Sequence, residues 1–195
     1  MTKRTRRTVA IGVPLLAIVA AGLIIWTGTL SSATKEKTMT YTFPGVLSAD
    51  QIQHKKAVVV TNKGTFTFEL LADAAPKTVS NFVYLASNKF YDGLTFHRFV
   101  DGFVIQGGDP TGTGSGGPGY SFPDEPVVGE YTTGAVAMAN SGPNTNGSQF
   151  FVTLADQTKN LQKQYNLFGR VTEGMDVVQK LRQGDIMQTV RVEAQ

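Results

Sequence analysis

The run AVVVTNKGTFTFEL, residues 57–70, sets two stretches of β-branched and aromatic residues on either side of Asn62-Lys63-Gly64. Such side chains suit a pleated, half-buried surface, and a short Asn/Gly-bearing gap between two of these runs is the signature of a β-hairpin. Phe66, Phe68 and Leu70 alternate with Thr65, Thr67 and Glu69, so one face of the second strand is buried. Downstream the period changes. In APKTVSNFVYLASNKF, residues 75–90, Val79, Phe82, Val83 and Ala86 fall at helical spacing behind Pro76, which suits a first helical position. Short strands are then expected over 95–99, 103–106, 134–139, 149–154, 167–171 and 188–193, with a second helix over 175–182 that stops before Gly184. Many short strands and two isolated helices predict a mainly β fold, an antiparallel barrel with helical caps.

Upstream of the hairpin the composition differs. The chain of 195 residues has a formal net charge of +3, but Lys3, Arg4, Arg6 and Arg7 supply four of its 18 cations, leaving 14 against 15 carboxylates from Lys35 onward. The folded part is therefore not basic, and no nucleic-acid partner is expected. No charge falls between Thr8 and Thr34, and VAIGVPLLAIVAAGLIIWTGTL, residues 9–30, is almost wholly apolar. At ~1.5 Å per residue it would form a helix of roughly 33 Å, enough for a hydrocarbon core of ~30 Å. Pro14 stands near the first turns and Trp26 where an interfacial aromatic belongs. The expectation is a basic cytoplasmic terminus over 1–8, a single membrane anchor over 9–30, a polar tether over 31–55 and an extracytoplasmic domain over 56–195. The alternative is a cleaved signal peptide and a secreted domain, since Ser31, Ser32 and Ala33 would suit signal peptidase; the apolar run exceeds the usual ~7–15 residues and favours the anchor. Within the tether YTFPGV, residues 41–46, reads either as flexible chain or as an extended piece docked on the domain.

The usual catalytic sets are missing. With no cysteine, and with His54 in the tether and His97 alone, no zinc site is expected, nor any other metal or cofactor. GTGSGG satisfies G-x-G-x-x-G at Gly112, Gly114 and Gly117, yet Pro118-Gly119 follow where a dinucleotide fingerprint must open a helix. There is no G-x-S-x-G, and Asp109 or Asp124 with His97 would make a poor hydrolytic triad. What remains is Arg98, one cation among the aromatics of FHRFVDGFVIQGGD, residues 96–109.

That block, with GAVAMANSGPNTNGSQFFVTL (residues 134–154) and LFGRVTEGMDVVQKL (residues 167–181), closely resembles the cyclophilin family of peptidyl-prolyl cis-trans isomerases, its bacterial members included, over residues 57–193. The resemblance implies an eight-stranded antiparallel β-barrel closed by two α-helices, and catalysed rotation about X-Pro bonds of proline-containing peptides and folding proteins. It makes Arg98 the catalytic arginine, with Phe103 and Gln106 beside it. Phe103, Phe151 and Leu161 match the proline pocket, with Val104 where that pocket often carries methionine. Gln106 and Asn140 would hold the substrate backbone, and Ala139 would border the adjoining subsite. His97 is expected to be structural. Tyr165 stands where the best-known eukaryotic members have histidine, and Asn160 where they have tryptophan, which implies weak cyclosporin binding. The different-class alternative is a peptide-binding chaperone or scaffold with incidental isomerase activity.

Overall fold

The hairpin expected at residues 57–70 is formed by β1 (Lys55–Thr61) and β2 (Gly64–Leu70), paired antiparallel from Lys56↔Glu69 to Thr61↔Gly64. Gly64 already belongs to the second strand, so the turn itself is Asn62-Lys63, braced by a 2.7 Å hydrogen bond from the Thr61 hydroxyl to the Gly64 carbonyl. The structure, a computed structural model, describes residues 40–195. Six further strands follow: β3 (Arg98–Val100), β4 (Val104–Gly107), β5 (Ala135–Met138), β6 (Phe150–Thr153), β7 (Leu167–Glu173) and β8 (Met187–Ala194). All pair antiparallel in one sheet of order β3-β4-β6-β5-β7-β2-β1-β8. The sheet rolls into a half-barrel. Between its edges the chain just ahead of β3 meets the chain just ahead of β8, through a Thr95↔Ile186 bridge and a 2.8 Å hydrogen bond from Phe96 N–H to the Asp185 carbonyl.

Two apolar layers use the two faces of this sheet. Ile105, Val136, Met138, Phe150 and Val152 point inward to a core that also holds Phe66, Phe68, Phe82, Tyr91 and Phe168. Their neighbours Val104, Ala135, Ala137 and Phe151 point the other way, into a second cluster with Tyr131 and Leu167. β5 and β6 are buried on both faces, which is why GAVAM and QFFVT read as continuous apolar runs rather than as alternation. Gly169 in β7 permits the tight crossing at Phe68: a Cβ there would lie 2.7 Å from the Phe68 ring and 2.9 Å from the Glu69 carbonyl.

The helix expected behind Pro76 runs over Pro76–Ser87, with Thr78, Val79, Phe82, Val83, Leu85 and Ala86 buried. Ala75 at its N-cap offers no side-chain acceptor; instead Glu125, 47 residues away, accepts from Thr78 N–H at 2.8 Å and Thr78 Oγ1 at 2.7 Å, and from Lys77 N–H at 2.8 Å. The last helix spans Met175–Lys180 and buries Val178.

The anchor expected over 9–30 and the first part of the tether lie outside the described residues. Among those described, no helix is long and apolar enough to cross a membrane. Of the stretch expected as a tether over 31–55, the described residues from Thr40 onward belong to the same compact unit as the sheet. Tyr41, Phe43 and Leu47 pack on the core, Leu47 N–H donates to Ser80 Oγ at 2.9 Å, and a one-turn helix, Ala49–Ile52, buries Ile52. Three apolar side chains, spread through a polar stretch, provide the area that docks it.

Candidate active site

Strand register builds the site. Arg98 on β3 is paired with Gln106 on β4, and Gln106 with Phe151 on β6, so the three side chains form a row across adjacent strands on one face of the sheet. Val104 precedes Gln106 by two residues and joins that face. The turn between β3 and β4 supplies Phe103, and the end of β5 runs on into Ala139 and Asn140. Leu161 and Tyr165 come from the long loop after β6, which folds back over the outer apolar cluster. Arg98, Phe103, Val104, Gln106, Ala139, Asn140, Phe151, Leu161 and Tyr165 together line one cavity of about 190 Å³. Every residue expected at the site is in it.

Within this cavity the Arg98 guanidinium is the only formal charge, lying 5.9 Å from the centre of the Phe103 ring. Arg98 Nη1 donates to Gln106 Oε1 at 3.2 Å, Gln106 Nε2 donates to Gln149 Oε1 at 2.9 Å, and Gln149 Nε2 donates to the carbonyls of Gly116 at 2.8 Å and Gly114 at 3.0 Å. The chain of amides fixes which end of Gln106 faces the arginine: its oxygen is turned to the cation because its nitrogen is spent on Gln149. Gln149 sits inside GSQFF, where nothing in the sequence marks it as a support.

The socket below is apolar. Phe151 meets Tyr165 edge to face at 5.5 Å, and Val104 and Leu161 complete the apolar lining. Tyr131, also unanticipated, locks this wall: its buried hydroxyl donates to the Tyr165 carbonyl at 2.6 Å and accepts from Tyr165 N–H at 3.0 Å. Burial raises the Tyr131 pKa above the ordinary 10.0, so it stays a neutral donor. Gln157, 3% exposed, pins the same loop to the turn before Phe103 through a 2.9 Å bond to the Gly102 carbonyl. Asn140 is oriented by donating to the Gln164 carbonyl at 3.0 Å. Asn160 is exposed and does not line the cavity.

A polar groove of about 450 Å³ continues from the socket, sharing Gln106, Ala139 and Asn140 with it. One wall is the glycine-rich loop, with no helix at GTGSGG. Asp109 holds that loop: its carboxylate accepts from Thr111 N–H (2.7 Å), Thr111 Oγ1 (2.8 Å), Gly114 N–H (2.6 Å) and Gly116 N–H (3.1 Å). Burial opposes ionisation, but these donors outweigh it and bring the Asp109 pKa down to about 2. The preceding Gly108 has φ +86°, and a Cβ there would lie 2.4 Å from the Ser148 carbonyl, so the QGGD turn needs its glycine. His97 lies outside both cavities, and among the described residues neither ring nitrogen has a hydrogen-bond partner. Burial lowers its pKa below the ordinary 6.5, against the opposing charge of Asp109 and with the help of Arg98.

Comparison with known proteins agrees with this geometry. The family described as "Cyclophilin type peptidyl-prolyl cis-trans isomerase/CLD" matches residues 56–195. Peptidyl-prolyl cis-trans isomerase B of Bacillus subtilis is 49% identical over 128 residues, covering 65% of this chain and 89% of its own. Peptidyl-prolyl cis-trans isomerase-like 1 of Neurospora crassa is 52% identical over 128 residues, covering 63% of this chain and 78% of its own. The crystal structure of a cyclophilin type peptidyl-prolyl cis-trans isomerase of Cryptosporidium parvum superposes with a TM-score of 0.66 at 33% identity, over 72% of this chain and 98% of that one. The same protein has been solved in the presence of the dipeptide Ala-Pro, with a TM-score of 0.65. A lone guanidinium over an apolar socket, on an eight-stranded antiparallel sheet matched by that family from residue 56 to the C-terminus, places the chain in the cyclophilin-type peptidyl-prolyl cis-trans isomerases.

Proposed function

We propose that the socket of Phe103, Val104, Phe151, Leu161 and Tyr165 seats the proline ring, and that Arg98 stabilises the twisted X-Pro bond. An amide owes its rotational barrier of ~18–20 kcal/mol to resonance, and X-Pro bonds exchange over tens of seconds or longer. Twisting localises the lone pair on the prolyl nitrogen. A guanidinium that hydrogen-bonds this nitrogen or the neighbouring carbonyl oxygen interacts more strongly with the twisted state than with either planar form, and so lowers the barrier without covalent chemistry. Arginine suits the task because it keeps its charge and presents its donors in a fixed plane. Gln106 aligns it and Asn140 holds the peptide backbone before the proline. The Ala-Pro dipeptide used with the Cryptosporidium relative is the minimal version of this substrate.

The observation that carries this reading is the row Arg98, Gln106, Phe151, with the only charge of the cavity at the rim of its apolar floor. In a protease-coupled proline-peptide assay Arg98→Ala should lower kcat/KM by ~10²–10³-fold while the melting temperature stays at the wild-type value. A folded variant with the wild-type rate would remove Arg98 from the mechanism. The apolar run at 9–30 and the cations before it support a membrane-anchored enzyme acting on extracytoplasmic proteins. Cyclosporin binds weakly in this account, since Asn160 offers no indole beside the socket.

A further inference from the structure

The walls of the groove beside the proline socket include two irregular strips, residues 117–121 and 145–149. They are tied to each other at two points. Phe122 and Asn146 form an isolated antiparallel bridge, with Phe122 N–H donating to the Asn146 carbonyl at 2.9 Å. Tyr120 OH donates to Asn81 Oδ1 at 2.7 Å, and Asn81 Nδ2 donates to the Gly147 carbonyl at 2.8 Å, so a buried asparagine of the long helix links both strips. The first strip has no strand ladder behind it. What lies behind it is Phe43, stacked on Phe122 at 5.0 Å with 2° between the ring planes, and 6.1 Å from the Tyr120 ring. Phe43 lines neither the groove nor the socket. Its own segment is held on either side by Tyr41 against Phe90 at 5.1 Å and by Leu47 N–H on Ser80 Oγ at 2.9 Å.

We infer that Phe43 is a positioning residue for substrate binding, holding Tyr120 and Phe122 so that the groove wall fits the peptide segment preceding the proline. The inference rests on the isomerase reading of the adjoining socket. Tyr120 is the pivot, because its ring packs toward Phe43 while its hydroxyl reaches Asn81 and, through it, the opposite wall. Without the Phe43 ring the Tyr120 to Phe122 strip keeps its hydrogen bonds to Asn146 and Asn81 but loses the apolar surface that it leans on. Arg98, Gln106 and Phe151 of the socket stand on β3, β4 and β6, whose ladder does not involve Phe43. The segment at 41–47 therefore acts on the affinity for longer peptides and leaves the bond rotation itself alone.

The test uses the full chain and two peptides followed by NMR exchange: a minimal acetyl-Ala-Pro amide, and the same unit with four more residues before the alanine. Phe43→Ala should raise KM for the extended peptide by about 3–10-fold, with kcat and the minimal peptide's kcat/KM held within about twofold. Phe43→Leu, which restores apolar bulk, should recover most of the affinity. If Phe43→Ala fails to fold, Phe43→Val, a smaller truncation of the same ring, should still raise KM for the extended peptide alone, by about two- to threefold. An unchanged KM in the folded variant, or equal losses on both peptides, would overturn the inference while leaving the isomerase reading intact. A wild-type chain that accelerates neither peptide would instead sink that reading, and the inference with it.

Discussion

Among the described residues Arg98 has one side-chain hydrogen-bond partner, the Gln106 oxygen, and that partner is itself oriented by Gln149. The arginine and the socket residues were legible because they stand in long motif blocks; periodicity alone would have left Phe103 and Phe151 as ordinary core. Gln149, Tyr131 and Gln157 were not legible as supports, because each acts through backbone groups of distant loops: Gln149 on Gly114 and Gly116, Tyr131 on Tyr165, Gln157 on Gly102. No sequence spacing announces such a bond. Asn160 is exposed, with its side-chain nitrogen 3.1 Å from Gln157 Oε1. Asn160→Trp should therefore leave kcat/KM within about twofold and tighten cyclosporin binding by roughly tenfold, the worth of about 1.4 kcal/mol from a large aromatic contact. Calorimetric titration of both proteins checks this. Tight binding to the unmodified chain, or no gain in the variant, would show that residue 160 does not face the drug.

At the scale of elements, the hairpin and the long helix could be read from period and turn residues, since Pro76 and the apolar residues at helical spacing are local signals. Boundaries shifted where pairing, not composition, decides them. The strand expected over 95–99 begins at Arg98 because only from there does β4 pair with it, Thr95 making an isolated bridge to Ile186 instead. The helix expected to reach 182 stops at Lys180, beyond which Leu181 is extended. Capping of the long helix could not be foreseen, since its acceptor, Glu125, is remote in sequence. Glu125→Ala would leave the Lys77 and Thr78 N–H groups without acceptors where no other side chain replaces it. Unmet buried donors cost ~1–3 kcal/mol each, so a loss of about 2–4 kcal/mol is expected in urea unfolding. A change below about 0.5 kcal/mol would mean that another group or water caps the helix. YTFPGV, residues 41–46, has too few residues for a period, and its docking shows in the facing rings of Tyr84, Phe90 and Phe122.

In the whole molecule a cyclophilin-type domain follows an N-terminal apolar run that lies outside the described residues. Charge-free from Thr8 to Thr34 and preceded by four cations, that run leads us to expect a protein that stays in the membrane fraction after alkaline wash, with a domain-sized fragment released by protease on intact cells. A soluble mature chain beginning near Thr34 would identify a cleaved signal, and a protected domain would reverse the orientation. The central claim is that Arg98 acts on the twisted bond more than on the bound peptide. It is tested most directly by measuring, for wild type and Arg98→Ala, both the Kd of a proline peptide and its cis-trans exchange rate at saturation by NMR. The account predicts a Kd within about fivefold and an exchange rate lower by ~10²–10³-fold. A variant whose exchange rate at saturation matched wild type, with the loss confined to Kd, would contradict it.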